Sequence, residues 1–597
     1  MESKDLRESF IRFFEERGHV RQPSSPLVSD DPTVLLTTAG MQQFIPYFTG
    51  DRDAPHKRYT SAQKCFRTVD VEEVGDTSHL TFFEMLGNFS IGDYFKAEAI
   101  KWAWEYLTNV LKLPADKLWV TYFEGEPKRG VDPDKEAHDL WKSIGLPADH
   151  IRGFGSDTNF WGPPGESGPC GPSSEIHIDL GVERSSKPHD HECGPNCDCG
   201  RFLELWNLVF MQYFCAEDGS LSALPSKNID TGAGFERLLM VVQGKNTIFE
   251  TDLFVPIIKK VEQLSNKEYK ENEKSFRIIA DHVRGAVFLI ADGVRPGKSG
   301  REYILRRVIR RAVNYEHQLG IRTHRLEDLA EVVVNLYESA YPELRSQLGL
   351  IKDVLIDEEQ RFRKTIERGL KHFENISAGG DVISGADIFY IYETFGFPIE
   401  LSREIAREKG TTIDERGLEQ ALKEHQELSR VGAMEKFKRK GGGQGDEVKK
   451  AHTATHLLHQ ALRDVLGGHV TQAGSRLFDD ELSFDFTHPT KMTDEQKQKV
   501  EEIVNQKIKL DLPMLTEIVT PDEAKAKGAI GLFEKKYGDR VQICSVMEGD
   551  QAYSREFCGG PHVHNTAEIQ QFKIIKEKSS SAGIRRIKAV VGRKAAQ

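Results

Sequence analysis

No stretch of this chain approaches the roughly 18 consecutive apolar residues that a membrane helix needs. Ala286-Val287-Phe288-Leu289-Ile290-Ala291 is about as long as such runs get, so no membrane partner is expected. Residues 1–17 are charged and amphipathic, lacking the apolar centre of a secretory signal, and none is expected. Cysteine is scarce, eight in 597 residues. Several stand beside histidines and glycines, which suits thiols or metal ligands in a reducing cytoplasm better than a disulfide framework. Two nucleotide signatures are also missing: no Gly-x-x-x-x-Gly-Lys-Ser/Thr loop occurs, and no Gly-x-Gly-x-x-Gly follows a strand. Any nucleotide must be held by other means. There is no basic excess either. The net charge of −12 argues against an indiscriminate nucleic-acid binder, although a local basic face remains compatible with it.

At 597 residues, 38% hydrophobic and 29% charged, the chain reads as globular with roughly three to five domains. Residues 228–238 (Asn-Ile-Asp-Thr-Gly-Ala-Gly-Phe-Glu-Arg-Leu) place a carboxylate, a floor of small residues and an arginine close together before a helix. Such a turn could hold an amine at Asp230 and a phosphate at Arg237. It could equally be a strand-to-helix turn with a buried ion pair. Gln63-Lys64-Cys65-Phe66-Arg67-Thr68 and Thr81-Phe82-Phe83-Glu84-Met85-Leu86-Gly87-Asn88-Phe89 read as strands flanking a polar loop, hence an antiparallel hairpin. The run Asp31-Pro32-Thr33-Val34-Leu35-Leu36-Thr37 reads as β-branched after a proline turn. Arg67 and Arg237 are two guanidinium forks suited to phosphate oxygens. A nucleotide held by arginines on an antiparallel sheet follows the logic of class II aminoacyl-tRNA synthetases.

These motifs resemble one family, the alanyl-tRNA synthetases. The likeness extends to Asp157-Thr158-Asn159-Phe160-Trp161, to Gly168-Pro169-Cys170-Gly171-Pro172-Ser173-Ser174-Glu175 and to Leu205-Trp206-Asn207-Leu208-Val209-Phe210-Met211-Gln212. The resemblance implies an α+β multidomain protein: a class II antiparallel sheet flanked by helices, a helical tRNA-recognition domain and an α+β editing domain. It also implies residue roles. Arg67 would bind the α-phosphate of ATP, Arg237 the γ-phosphate, and Phe83, of the Phe82-Phe83 pair, would support the adenine. Asp230 would pair with the ammonium of L-alanine, while Trp161, Val209 and Gly232 would wall a pocket for one methyl group. Plain core packing is the alternative for Trp161 and Val209. Mg²⁺ would accompany ATP. One departure is Val74-Gly75-Asp76-Thr77-Ser78-His79, where relatives carry Arg-His-His.

From about residue 252 to 374 the pattern is helical. In Ile304-Leu305-Arg306-Arg307-Val308-Ile309-Arg310-Arg311 the apolar positions separate from the arginines. With Arg295, Lys298 and Arg301 just before, the row suggests a phosphate-backbone track; a solvated face is the plainer reading. In the family this region reads the G·U pair of the tRNA(Ala) acceptor stem. Lys298 and Glu393 stand where relatives offer asparagine and aspartate, so tRNA contacts are expected from Lys298, Arg301, Arg306, Arg310 and Glu393.

His452-Thr453-Ala454-Thr455-His456 puts two imidazoles at i and i+4 on one helix face, and Cys558-Gly559-Gly560-Pro561-His562 adds a thiol and a third imidazole. Three nitrogens and one sulfur suit tetrahedral Zn²⁺. The arrangement resembles the family's editing domain, which hydrolyses tRNA(Ala) mischarged with serine or glycine. Gln472 matches its pocket, and Pro561 replaces a threonine. A further loop with Cys193, Cys197, Cys199 and nearby histidines 189 and 191 reads either as a structural Zn²⁺ site or as free thiols in solvent. The expected division is aminoacylation (1–250), tRNA recognition (251–440), a Gly-rich linker (441–446) and editing (447–597), with one zinc in the last. Many relatives continue into a C-terminal oligomerisation domain; with none here, a naturally short or shortened chain and a monomer or weak oligomer are expected. The rivals are a threonyl-type synthetase, which places its editing module first, and a trans-editing or RNA-binding protein on an inactive scaffold.

Overall fold

The computed structural model describes residues 1–29, 34–163, 165–187, 193–377, 381–423, 446–477, 481–530, 540–581 and 584–596. Residues 31–33, His189, His191 and residues 441–445 of the expected linker lie outside these. The chain divides into two compact units, Met1–Glu419 and Gln420–Gln597.

The first unit is built on a nine-stranded sheet. Its order is Val20–Arg21, Arg58–Phe66, Phe82–Ile91, Leu221–Gly234, Phe202–Cys215, Gly168–Asp179, Leu118–Phe123, Ile151–Phe154, with Phe160–Trp161 paired to Gly168–Asp179. The expected hairpin is present, Phe66 opposite Phe82 and Cys65 opposite Phe83. The antiparallel expectation holds through the centre, while both edge pairs are parallel, so the sheet is mixed. Val34 to Thr37 form no strand. Thr37 donates to the Leu27 carbonyl and accepts from the Phe66 amide, both at 2.8 Å; single bonds fasten the run to the sheet without a ladder.

Alternation along Phe82–Ile91 explains how the sheet carries different chemistry on its two faces. Phe82 stacks on Phe288 of the helix Glu273–Ala291, with ring centroids 4.1 Å apart. On the same side, the buried Glu84 accepts two hydrogen bonds from Arg7, at 2.8 and 2.5 Å, and one from Tyr341 at 2.8 Å. Glu236 pairs with the fully buried Arg284 at 2.9 Å. Unpaired, these charges would each cost several kcal/mol; paired, they lock the helical layer to the sheet's back. Phe83 and Met85 face the opposite side, where the cleft lies.

Helices continue through Gly300–Gln318, Leu326–Tyr337 and Leu348–Ser377, as the pattern from 252 to 374 implies. In the long Leu348–Ser377 helix, Phe362, Ile366 and Phe373 form the buried stripe.

The second unit lays the helices Asp446–Leu466 and Asp494–Lys509 on a four-stranded sheet, ordered Gln472–Leu477, Glu481–Thr487, Ile584–Val591, Phe572–Ser581. Leu457, Leu458, Leu462, Phe484, Phe486, Val500, Val504 and Ile587 fill the space between them. A second sheet, Met514–Val519, Val541–Glu548 and Gln551–Phe557, brings Cys558 to its end.

Candidate active sites

The first unit opens a cleft lined by Arg67, Asp70, His79, Phe83, Met85, Glu204, Gly232 and Arg237, among others. Arg67 follows the Arg58–Phe66 strand, its amide bonded to the Thr81 carbonyl at 2.9 Å. Its guanidinium lies 4.9 Å from the Phe83 ring centroid, a cation–π contact that fixes both groups. Arg237 sits in the first turn of the helix Phe235–Val242 and donates to the Glu204 carboxylate and carbonyl, both at 3.1 Å. The buried ion pair that was the plain reading of this turn does exist, but it joins Glu236 to Arg284 and leaves Arg237 to the cleft. His79 hydrogen-bonds Asp76, which raises its pKa and favours a cation at the cleft rim where the sequence lacks the family's Arg-His-His.

Asp230 is not among the residues lining this cleft; it stands two positions before Gly232 on the same strand, buried and with no hydrogen-bond or ion-pair partner among the described residues. Burial pushes its carboxyl up to about 7. Desolvation with nothing to compensate it marks a group waiting for a cation. Val209 is opposite Asp230 in the strand register, and Asn207 is opposite Gly232. A Cβ on Gly232 would fall 2.7 Å from the Met85 sulfur, so a larger residue on that floor requires the Met85 side chain to shift. Val209, with the flanking Trp161 and Met85, belongs to an apolar cluster with Met41, Phe44 and Phe89. Trp161 and Val209 thus pack in the core cluster and are not among the residues lining the cleft, which the cluster reaches through Met85.

In the second unit, His452, His456, Cys558 and His562 bring one donor atom each within 4.8 Å of one another. The Cys558 sulfur lies 3.4 Å from His452 Nε2 and 3.3 Å from His562 Nε2. The remote nitrogens are held from behind: His452 Nδ1 by the Pro561 carbonyl at 3.0 Å, His562 Nδ1 by Thr453 Oγ1 at 3.3 Å. Glu556 lies 3.4 Å from His456 Nδ1 and accepts from His459 at 2.8 Å. Such outer contacts orient imidazoles toward a metal. Burial, then the neighbouring imidazoles, pushes His452 down to about 4, and burial lowers His456 as well. Both stay neutral, the form a metal ligand needs. A Cβ on Gly560 would meet the His452 ring at 2.2 Å, so that glycine lets the two segments close. The set fits Zn²⁺ in donor type, number and outer support. Pro561 acts through its carbonyl, a contact that any residue there would supply.

Residues 5–482 match the family described as tRNA synthetases class II (A), and residues 541–588 match the threonyl and alanyl tRNA synthetase second additional domain. An alanine–tRNA ligase from Borrelia hermsii is 45% identical over 99% of this chain and 100% of its own length. Another from Treponema pallidum is 43% identical over 98% and 97%, and one from Dehalococcoides mccartyi is 41% identical over 99% and 80%. The chain belongs to the alanyl-type class II aminoacyl-tRNA synthetases.

Within this synthetase, Arg67, Phe83, Gly232 and Arg237 converge on one cleft. Phe82 does not, being stacked inside on Phe288. Gln472 lies on a strand opposite Phe486, and its amide donates to Ser475 at 3.1 Å. The arginine row is not an open track. Arg310 binds Glu358 at 2.5 Å and the Gly396 carbonyl, and Arg306 lies 3.6 Å from the same carboxylate. Arg307 pairs with Glu72 and Arg311 with Glu404. Local periodicity shows which residues share a face; it does not show that acids on other helices cover that face. Lys298 and Glu393 are exposed and Arg301 half-buried. The roles of Met85, Glu204 and Glu556 escaped the sequence reading; for the two glutamates an acid beside a motif is the available signal, and for Met85 there is none. No helix among the described residues is long and apolar enough to cross a membrane.

Proposed function

We propose that this chain is an alanine–tRNA ligase that also hydrolyses mischarged tRNA at a second site. The observation that carries the first half is Asp230, a buried carboxylate without a partner among the described residues, near a glycine floor that Met85 packs against. Asp230, ionised by the approach of the substrate ammonium, pairs with it and aims the alanine carboxylate into the cleft. That carboxylate attacks the α-phosphorus of ATP; the bond to the bridging oxygen breaks and pyrophosphate leaves with its electron pair. Arg67 balances the charge that grows on the α-phosphoryl oxygens. Arg237 exchanges Glu204 for the γ-phosphate, and Phe83, steadied by Arg67, supports the adenine. Mg²⁺ bound with ATP would neutralise the outer phosphates. The ribose hydroxyl at the tRNA 3′ end then displaces AMP from the alanyl carbonyl. Trp161 and Val209 limit the pocket to one methyl.

A pocket closed around a methyl cannot strongly reject glycine, or serine with one added hydroxyl. The hydrolytic site, residues 447–597 in our division, supplies the missing discrimination. His452, His456, Cys558 and His562 would hold Zn²⁺, whose positive charge orients water or ester there, and Gln472 would contact the substrate. The helical residues 251–440 would bind tRNA(Ala), with Lys298, Arg301 and Glu393 as the accessible contacts. We assign Arg306 and Arg310 a supporting role through Glu358. Full-length likeness to alanine ligases and the presence of Arg67, Asp230 and Arg237 disfavour a threonyl-type enzyme or an inactive scaffold. ATP–pyrophosphate exchange with each amino acid tests the reading: strong exchange with alanine, weaker with glycine and serine, is expected. No exchange with alanine would overturn it.

A further inference from the structure

Between the strands Gly168–Asp179 and Phe202–Cys215 runs a connection of some twenty residues. Connections this long seldom hold a shape without support, and this one has little apolar material; Val182 is 50% exposed. What it has instead is sulfur. The Cys193, Cys197 and Cys199 thiols lie within 4.8 Å of one another, and Cys193 and Cys199 are 3.5 Å apart. A tetrahedral ion with bonds of about 2.3 Å to sulfur sets its ligands about 3.8 Å apart. Cys199 is 1% exposed, so the group is not a set of thiols hanging in solvent. The spacing comes from a tight turn: the Cys197 amide bonds the Gly194 carbonyl at 3.1 Å, and Asn196 takes a left-handed φ of 66°. The base is pinned by Ser186 to the Cys199 carbonyl at 2.8 Å and by Arg201 to Asp179 at 2.8 Å. Arg201 and Lys187 lie beside the thiols, each also paired with a carboxylate, Asp179 and Asp198 respectively.

The geometry points to a second, structural metal site, in which Cys193, Cys197 and Cys199 bind a soft tetrahedral divalent cation, Zn²⁺ foremost, with a fourth donor completing the shell. Its place gives it a consequence. Asn196, in the turn, lies near enough to Glu175 to help hold its carboxyl down against the upward push of burial. Glu175 in turn accepts from Asn207 at 3.3 Å and contacts His177 at 3.0 Å, and Asn207 is the cross-strand neighbour of Gly232. The metal thus makes the Cys193 loop a brace behind the amino-acid pocket, a positioning role that rests on the ligase reading.

Metal content of the purified full chain, measured by mass spectrometry under reducing conditions, tests the site independently of any activity. Two equivalents per chain are expected, falling to one in Cys197→Ser and to one in His456→Ala. In the Co²⁺-loaded protein the thiolate-to-metal charge-transfer band should lose about three-quarters of its intensity in Cys197→Ser, because three of four bound thiolates disappear. A single equivalent in the wild-type chain, or a Cys193–Cys199 disulfide found after alkylation, would overturn the proposal even if the variant fails to fold. For the brace, Cys197→Ser should raise the KM for alanine several-fold in pyrophosphate exchange while kcat stays within about twofold. An unchanged KM would remove the positioning role. Absence of exchange in the wild type would count against the ligase reading and leave the metal count standing.

Discussion

Asp230 shows how much a single side chain costs when the fold buries it and gives it no partner among the described residues. Its carboxyl lies at about 7 instead of 3.8 because burial penalises the charge. The folded state therefore holds a proton that the unfolded chain has already released. The stability this contributes is complete below 3.8 and is lost as the pH rises toward 7. Asp230→Asn should thus melt at a higher temperature than the wild type at pH 8 without ligands, with the gap closing near pH 4. The same change should lower kcat/KM for alanine in pyrophosphate exchange by roughly 10²–10³-fold, the usual effect of removing one side of a buried charge pair. Stability and activity moving together would sink the assignment. Gly232 makes a sharper point, since an added methyl meets the Met85 sulfur at 2.7 Å. Gly232→Ala should cost alanine about 10–100-fold in kcat/KM and shift preference toward glycine. Equal losses for both amino acids would mean the floor is not the specificity wall.

Among the elements, the helix Gly300–Gln318 best separates pattern from environment. Its arginines occupy the face that periodicity assigns them, yet Arg306 and Arg310 meet Glu358 from the Leu348–Ser377 helix. Glu358 is 2% exposed, so the pairs are buried and breaking them leaves cations without a counter-charge. Glu358→Gln should cost about 3 kcal/mol in urea unfolding; a loss under ~0.5 kcal/mol would show that the arginines find other partners and are free to bind RNA. The helix Asp446–Leu466 is the opposite case. His452 and His456 lie on one face by spacing alone, and the chain returns His562 and Cys558 to them over a turn that Gly560 keeps narrow.

At the scale of the whole molecule the two candidate sites fall in separate compact units, Met1–Glu419 and Gln420–Gln597. Cys558→Ala, removing a proposed metal ligand, should reduce deacylation of Ser-tRNA(Ala) by at least roughly 10-fold, while alanine-dependent pyrophosphate exchange stays within about twofold. A matching fall in exchange would contradict this separation.

The sequence by itself determined what depends on spacing and residue type. The hairpin around residues 67–81, the glycine turn before Arg237 and the His-x-x-x-His and Cys-x-x-x-His halves of the candidate metal site are all local, and local geometry follows from period and turn chemistry. Only the tertiary structure decided which charges meet. It gave Glu236 to Arg284 and left Arg237 in the cleft, turned Phe82 inward and Phe83 outward, and covered Arg306 and Arg310 with an acid some fifty residues away. It also left Asp230 buried with no partner among the described residues. The reason is physical: an ion pair depends on distance through space, and no periodicity along the chain encodes the separation between residues brought together by folding.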